Sequence, residues 1–199
     1  IGLCCFCVML ITFLSAKKTP EIKAFIVVLI AFILWFGGAI LMRLQIYPGV
    51  SFWYYVSVLA MFSIADLLYF FVCTFLKIKS YATQILWTVL TAILLVLTVT
   101  GNVLEPPTVS VDAHGGTVFL YDMDARVITP FVVMFLEVVS IAQVLLRSIK
   151  QRGINAPGIL EIILGCVVVA LGNLLQIIPG NTFPWDALGG IIFALLIFY

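Results

Sequence analysis

Apolar residues fill this chain in seven stretches, at about 1–15, 24–42, 52–76, 81–101, 127–147, 158–178 and 184–199, with short polar breaks between them. Most approach the ~20 residues an α-helix needs to cross a bilayer. The pattern predicts an all-α membrane protein, one seven-transmembrane helix bundle over residues 1–199. The segment 102–126 departs from it. There Val109, Val111, Val118 and Leu120 alternate with polar neighbours on either side of Asp112-Ala113-His114-Gly115-Gly116. Alternation around a glycine-containing turn predicts a short β-hairpin between helices 4 and 5. Pro106-Pro107 stiffens its approach. A two-stranded hairpin is marginal alone, so this one is expected to rest on the helix ends. It reads either as a solvated loop or as a lid over an outward-open cavity.

Charge assigns the sides. Loops 1–2, 3–4 and 5–6 (Ala16 to Lys23, Lys77 to Ser80, Ser148 to Pro157) and their flanks hold Lys17, Lys18, Lys23, Lys77, Lys79, Arg147, Lys150 and Arg152. The opposite loops hold only Arg43 and Arg126. The positive-inside rule then places the N-terminus outside, the C-terminus in the cytoplasm and the hairpin on the extracellular face. Five of the nine acidic residues fall on that outer side: Glu105, Asp112, Asp122, Asp124 and Asp186. Trp53, Tyr54 and Tyr55 open helix 3 there, as an aromatic belt would, after the turn signal Tyr47-Pro48-Gly49.

Composition agrees. Hydrophobic residues make up 64% of the chain and charged residues 10%, with a mean hydropathy of +1.28, far from a soluble domain. A net charge of +1 gives no nucleic-acid footprint. The chain starts without methionine and stops in an apolar run, so a longer protein is expected, with more sequence after Tyr199. Cys4, Cys5, Cys7, Cys73 and Cys166 all lie inside predicted spans, so no structural disulfide is expected. No histidine or carboxylate accompanies Cys4-Cys5-x-Cys7, so these read as small apolar filler; no metal or cofactor is expected.

The informative residues are polar ones inside the membrane. Asp66, Glu137 and Glu161 lie within spans, and each costs ~2.5–3.5 kcal/mol if ionised at the bilayer centre. At 1.5 Å per residue Asp66 lies roughly 21 Å in from the outer surface and Glu137 about 16 Å in. Glu161 is about one turn from the inner surface and reads as a wet helix start. If helices 3 and 5 are neighbours, Asp66 and Glu137 are close enough in depth to share a proton. The alternative is that each hydrogen-bonds a Ser or Thr of another helix as a neutral acid. Asn173 and Gln176 are spaced i, i+3 and share a face of helix 6. With Glu137, Trp35 and Asp186 they are candidates to line an outward-facing polar cavity, and His114 on the hairpin is a further candidate ligand contact. A packing role for Asn173 fits as well. Gly37-Gly38, Gly165, Gly172 and Gly189-Gly190 mark expected close helix contacts.

Several functions are disfavoured. No lysine lies within a span, which rules out a retinal Schiff base; no Asp-Arg-Tyr or Asn-Pro-x-x-Tyr motif occurs. No phosphate loop, metal spacing or Ser-His-Asp set is present, so the chain itself is not expected to be an enzyme.

The order of features resembles the N-terminal seven-transmembrane sensor region of bacterial histidine kinases, a module also found ahead of diguanylate cyclases. The likeness runs from the basic loop Ala16 to Lys23 through Trp35 and Gly38 in helix 2, the aromatic-opened helix 3 and the outer segment beginning Gly101-Asn102. It continues in Gly172-Asn173-Leu174-Leu175, Asp186 and the run Gly190-Ile191-Ile192-Phe193-Ala194-Leu195-Leu196. The family usually has a proline in helix 3 near Ala65-Asp66, where this chain has an acid. The resemblance implies a signal-input domain in the bacterial inner membrane, commonly dimeric. Such a domain senses an extracellular or membrane-embedded ligand, and helix 7 leads into a cytoplasmic output module in the same chain. The rival reading is a small proton-coupled transporter or channel subunit with Asp66 and Glu137 as relay; no half-to-half repeat supports it. A scaffold whose polar residues serve only packing is the third.

Overall fold

A computed structural model describes residues 2–111, 117–120, 125–152, 159–176 and 185–198. Among these the chain forms α1 (Gly2–Ser15), α2 (Pro20–Arg43), α3 (Val50–Phe75), α4 (Tyr81–Val99), β1 (Thr108–Val111), β2 (Thr117–Leu120), a 3₁₀ turn (Ala125–Val127), α5 (Ile128–Arg152), α6 (Ile159–Gln176) and α7 (Trp185–Phe198). Four helices, α2, α3, α4 and α5, are long and apolar enough to cross a membrane. α1 and α7 have 14 residues each, about 21 Å of helix against the ~30 Å of a hydrocarbon core.

Helix ends follow local chemistry rather than hydropathy. α2 starts at Pro20, four residues before its apolar run. Thr19 caps it, accepting from the Ile22 amide at 3.4 Å; Pro20 and Glu21 fill the first turn and Arg43 the last. A fixed φ at the first position and charges opposed to the helix dipole all favour helix there. α5 likewise runs on past its apolar stretch, through Arg147 and Lys150 to Arg152, so part of the expected 5–6 loop is helix. Cations near a C-terminus suit the dipole. α2, α3 and α4 end alike. A left-handed residue (Gln45, Lys77 or Gly101, φ 52°, 54° and 72°) donates its amide three residues back, and the next residue donates five back. This double bond satisfies carbonyls otherwise orphaned at a helix end.

β1 and β2 pair antiparallel, Thr108 opposite Leu120 and Val111 opposite Thr117. The approach to β1 is anchored: Val103 is buried against Met42, Tyr54, Val58, Phe62 and Leu94. An exposed ion pair, Arg126 to Glu105 at 3.7 Å, links the approach to the turn before α5.

The helices pack in a closed circuit. α1 contacts α2, α2 contacts α3, α3 contacts α5, α5 contacts α6, α6 contacts α7, and α7 returns to α1 and α2. α4 lies outside this circuit, against α3 and α5. Lipid offers no hydrophobic drive between helices, so close approach and polar contacts hold them together. Gly38 supplies both at the α2–α3 contact. A Cβ there would lie 2.9 Å from the Ser57 amide nitrogen, and beside it Ser57 Oγ donates to the Trp35 carbonyl at 2.8 Å. Gly189 sits under the Val168 carbonyl and Gly165 under the Phe193 ring, so α6 and α7 meet almost backbone to backbone. Gly37, in contrast, has only Leu3 nearby, at 3.9 Å.

Gly38→Leu is expected to prise α2 from α3 and cost about 1–3 kcal/mol, as overpacking does. Gly37→Ala is expected to stay within about 0.5 kcal/mol of the parent. Reversible unfolding in mixed micelles measures both.

Candidate functional site

α3, α4 and α5 each bring a polar residue to one seam. α4 presents Trp87, Thr91, Leu94 and Thr98 to the bundle, the i, i+4, i+7 spacing of one helix face. Thr88 lies just off that face, toward α3. Measured from the turn joining α3 to α4, Asp66 lies nine residues back from Phe75 and Thr88 seven residues on from Tyr81. Both are therefore about 10–14 Å from the turn and level with one another. Thr88 Oγ1 lies 3.2 Å and 3.4 Å from the two Asp66 carboxyl oxygens. One turn further along α4, Thr91 Oγ1 donates to Glu137 Oε1 at 2.8 Å.

The two acids sit in different surroundings. Glu137 is fully buried, 0% exposed, and its Oε2 has no partner among the described residues. Asp66 is half-buried beside exposed Thr88. α3 and α5 do pack together, yet neither acid takes the other as a hydrogen-bond partner; each takes a threonine of α4. Membrane hydroxyl–carboxyl bonds of this kind remove the worst cost of a polar group in hydrocarbon. The threonines were the residues that sequence reasoning left unnamed. Their signal was present: hydroxyls spaced i, i+3 on a helix otherwise free of charge, at the depth of two acids.

The remaining candidates are placed elsewhere. Trp35 joins an aromatic cluster, its ring 4.5 Å from Phe36 and 6.2 Å from Phe32, with Phe6 stacked on Phe32 at 5.2 Å. Its backbone carbonyl accepts from Ser57 of α3, and its side chain packs against the main buried apolar cluster. Asn173 and Gln176 belong to α6 and Asp186 to α7, but their side chains lie outside the described residues, as does His114 altogether. Glu161 stands in the first turn of α6, where the helix dipole favours an anion. Its Oε2 is buried and without a partner among the described residues, while the residue as a whole is half-buried. Among the described residues no cluster of three His, Cys, Asp or Glu side chains could hold a metal.

Over residues 1–199 the sequence matches the family described as the N-terminal 7TM region of histidine kinase. The chain belongs to that family. No curated protein matches it. The match gives the seven helices their frame as a membrane sensor region, a part of such kinases that is not itself catalytic.

Thr91→Val is expected to leave both Glu137 oxygens buried without a donor and to cost about 1–3 kcal/mol. Thr88→Val is expected to cost clearly less, because Asp66 is only half-buried where Glu137 is fully buried. Unfolding of the two variants side by side in the same micelles decides the order.

Proposed function

We propose that this chain is a transmembrane signal-input domain. It senses an extracellular or membrane-embedded ligand and passes the change through α7 to a cytoplasmic output module such as a histidine kinase or a diguanylate cyclase. The observation that carries this reading is the family match across residues 1–199. The charge distribution supports the orientation: N-terminus outside, C-terminus and the lysine-rich turns in the cytoplasm, hairpin outside, in a bacterial inner membrane. A lone input domain has to exist in two packings with unequal affinity for what it senses. Asn173, Gln176, Asp186, Trp35, His114 and Glu137 remain the proposed ligand contacts. A homodimer is the proposed assembly, each copy carrying its output module.

The tight α6–α7 contact is the proposed route of transmission, since any rotation of α6 acts directly on α7. In the full-length protein, reconstituted in vesicles, Gly189→Leu is expected to wedge α7 away from the Val168 carbonyl. Output activity without stimulus should then change by about 5–150-fold, the usual span of a coupling free energy. Unchanged basal output and unchanged stimulation in that variant would remove the proposed route.

Orientation is tested separately. A cysteine at Glu105 is expected to react with an impermeant thiol reagent in intact cells, and one at Lys79 only after the membrane is opened. The reverse pattern would turn the bundle over.

A further inference from the structure

Glu137 is the one acidic side chain fully withdrawn from solvent among the described residues, and one of its oxygens has no partner. Such an atom calls for an explanation. The groups around it supply no counter-charge. On its own helix, Arg147, Lys150 and Arg152 begin ten residues away, and Arg126 is eleven residues the other way, each about 15 Å or more along the axis. α4 carries no charged residue between Tyr81 and Val99, only Tyr81 at its first position. α3 contributes one acid, Asp66, with Tyr54 and Tyr55 near its start and Tyr69 and Cys73 near its end; Tyr69 is tied to Ser80 at 3.2 Å. α6 contributes Glu161 in its first turn and Cys166. With no cation beside it among the described residues, the group left to neutralise Glu137 is a proton.

Access to that proton is laid out on α4. Thr88 and Thr91, one helical turn apart on neighbouring positions of one face, have Cβ atoms about 5–6 Å apart. One touches the half-exposed carboxyl and the other touches the buried one. We propose that Glu137 is a proton-binding site, loaded through Asp66 at the α3–α4 seam, and that its occupancy sets how closely α4 lies on α3 and α5. The step is a proton transfer only. A hydronium gives its proton to the Asp66 carboxylate; the Asp66 O–H releases a proton across the threonine edge to a Glu137 carboxylate oxygen; Asp66 is left ionised and ready to reload. Loaded, Glu137 is a neutral acid that fits a dry seam. Unloaded, it is a carboxylate with a single hydroxyl donor, and the seam opens to admit water. The proposal deepens the signal-input reading, on which it rests for its consequence in the cell.

The test is infrared difference spectroscopy of the whole chain in lipid vesicles, stepped from mildly acidic to mildly alkaline pH. It needs no output module, so its result stands apart from whether the chain signals. The expected result is one protonated-carboxyl band that is lost as pH rises, together with a change in the helix amide band. Glu137→Gln, which keeps an oxygen for Thr91, is expected to abolish both, and Glu161→Gln to alter neither. Asp66→Asn is expected to keep the carboxyl band but slow its shift in heavy water at least tenfold. If Glu137→Gln does not fold, glutamate carrying ¹³C in its side-chain carboxyl must shift the parent band, which labelled aspartate must not. A carboxyl band that survives Glu137→Gln, ignores labelled glutamate, or stays constant across the pH range would overturn the proposal.

Discussion

A carboxyl group inside a hydrocarbon-facing bundle has to find a partner or give up its charge, and the arrangement of α4 follows from that need. α4 is the helix outside the circuit, and the least buried of the four helices long enough to cross a membrane. Two threonines fasten it, one to the acid of α3 and one to the acid of α5. Without them, its association would rest on apolar contacts such as Trp87, Leu90, Leu94 and Leu95. The fully dry acid has the shorter bond and the half-buried acid the longer ones, the order that desolvation predicts. Thr88 and Thr91 therefore tie α4 to α3 and α5 part-way along its length, where the short turn after α3 fixes it only at one end.

Much of this was legible in the sequence, because one solvent rule dominates. Hydrocarbon forces backbone groups into helices, so apolar runs map onto helices almost directly. Boundaries were less legible, for local reasons. Thr19 and Pro20 open α2 before its apolar run begins, and the dipole lets α5 run through Arg147 and Lys150. The depths of Asp66 and Glu137 can be counted from helical rise, and a Ser or Thr of another helix can be named in advance as the alternative partner of each. What could not be counted was neighbourhood. Nothing in the spacing of Trp35 reveals that it joins the phenylalanines of α1 and α2, and nothing in α4 alone says which of its threonines meets which acid. Those facts depend on the order of helices around the circuit, which a hydropathy pattern does not encode.

Glycine placement tells the same story of contact over pattern. Gly37 and Gly38 are adjacent and look equivalent in sequence, yet one faces a distant leucine and the other a serine amide. Only the second is sterically required. In α7 Gly189 and Gly190 are both constrained, from two sides: one meets the backbone of α6, the other the rings of Phe32 and Phe6.

That second constraint has a mechanical meaning. Phe6, Phe32 and Phe36 lie with interplanar angles of 2° to 10°, so Gly190 rests beside nearly parallel plates rather than among interlocking knobs. On the adjoining side α7 meets the Val168 carbonyl at Gly189 and sets its own Phe193 over Gly165. A helix keyed on one flank and smooth on the other is a piston in a half-lined cylinder. Any displacement of α6 would meet α7 at these keyed contacts, with the aromatic plates as a smooth wall beside them.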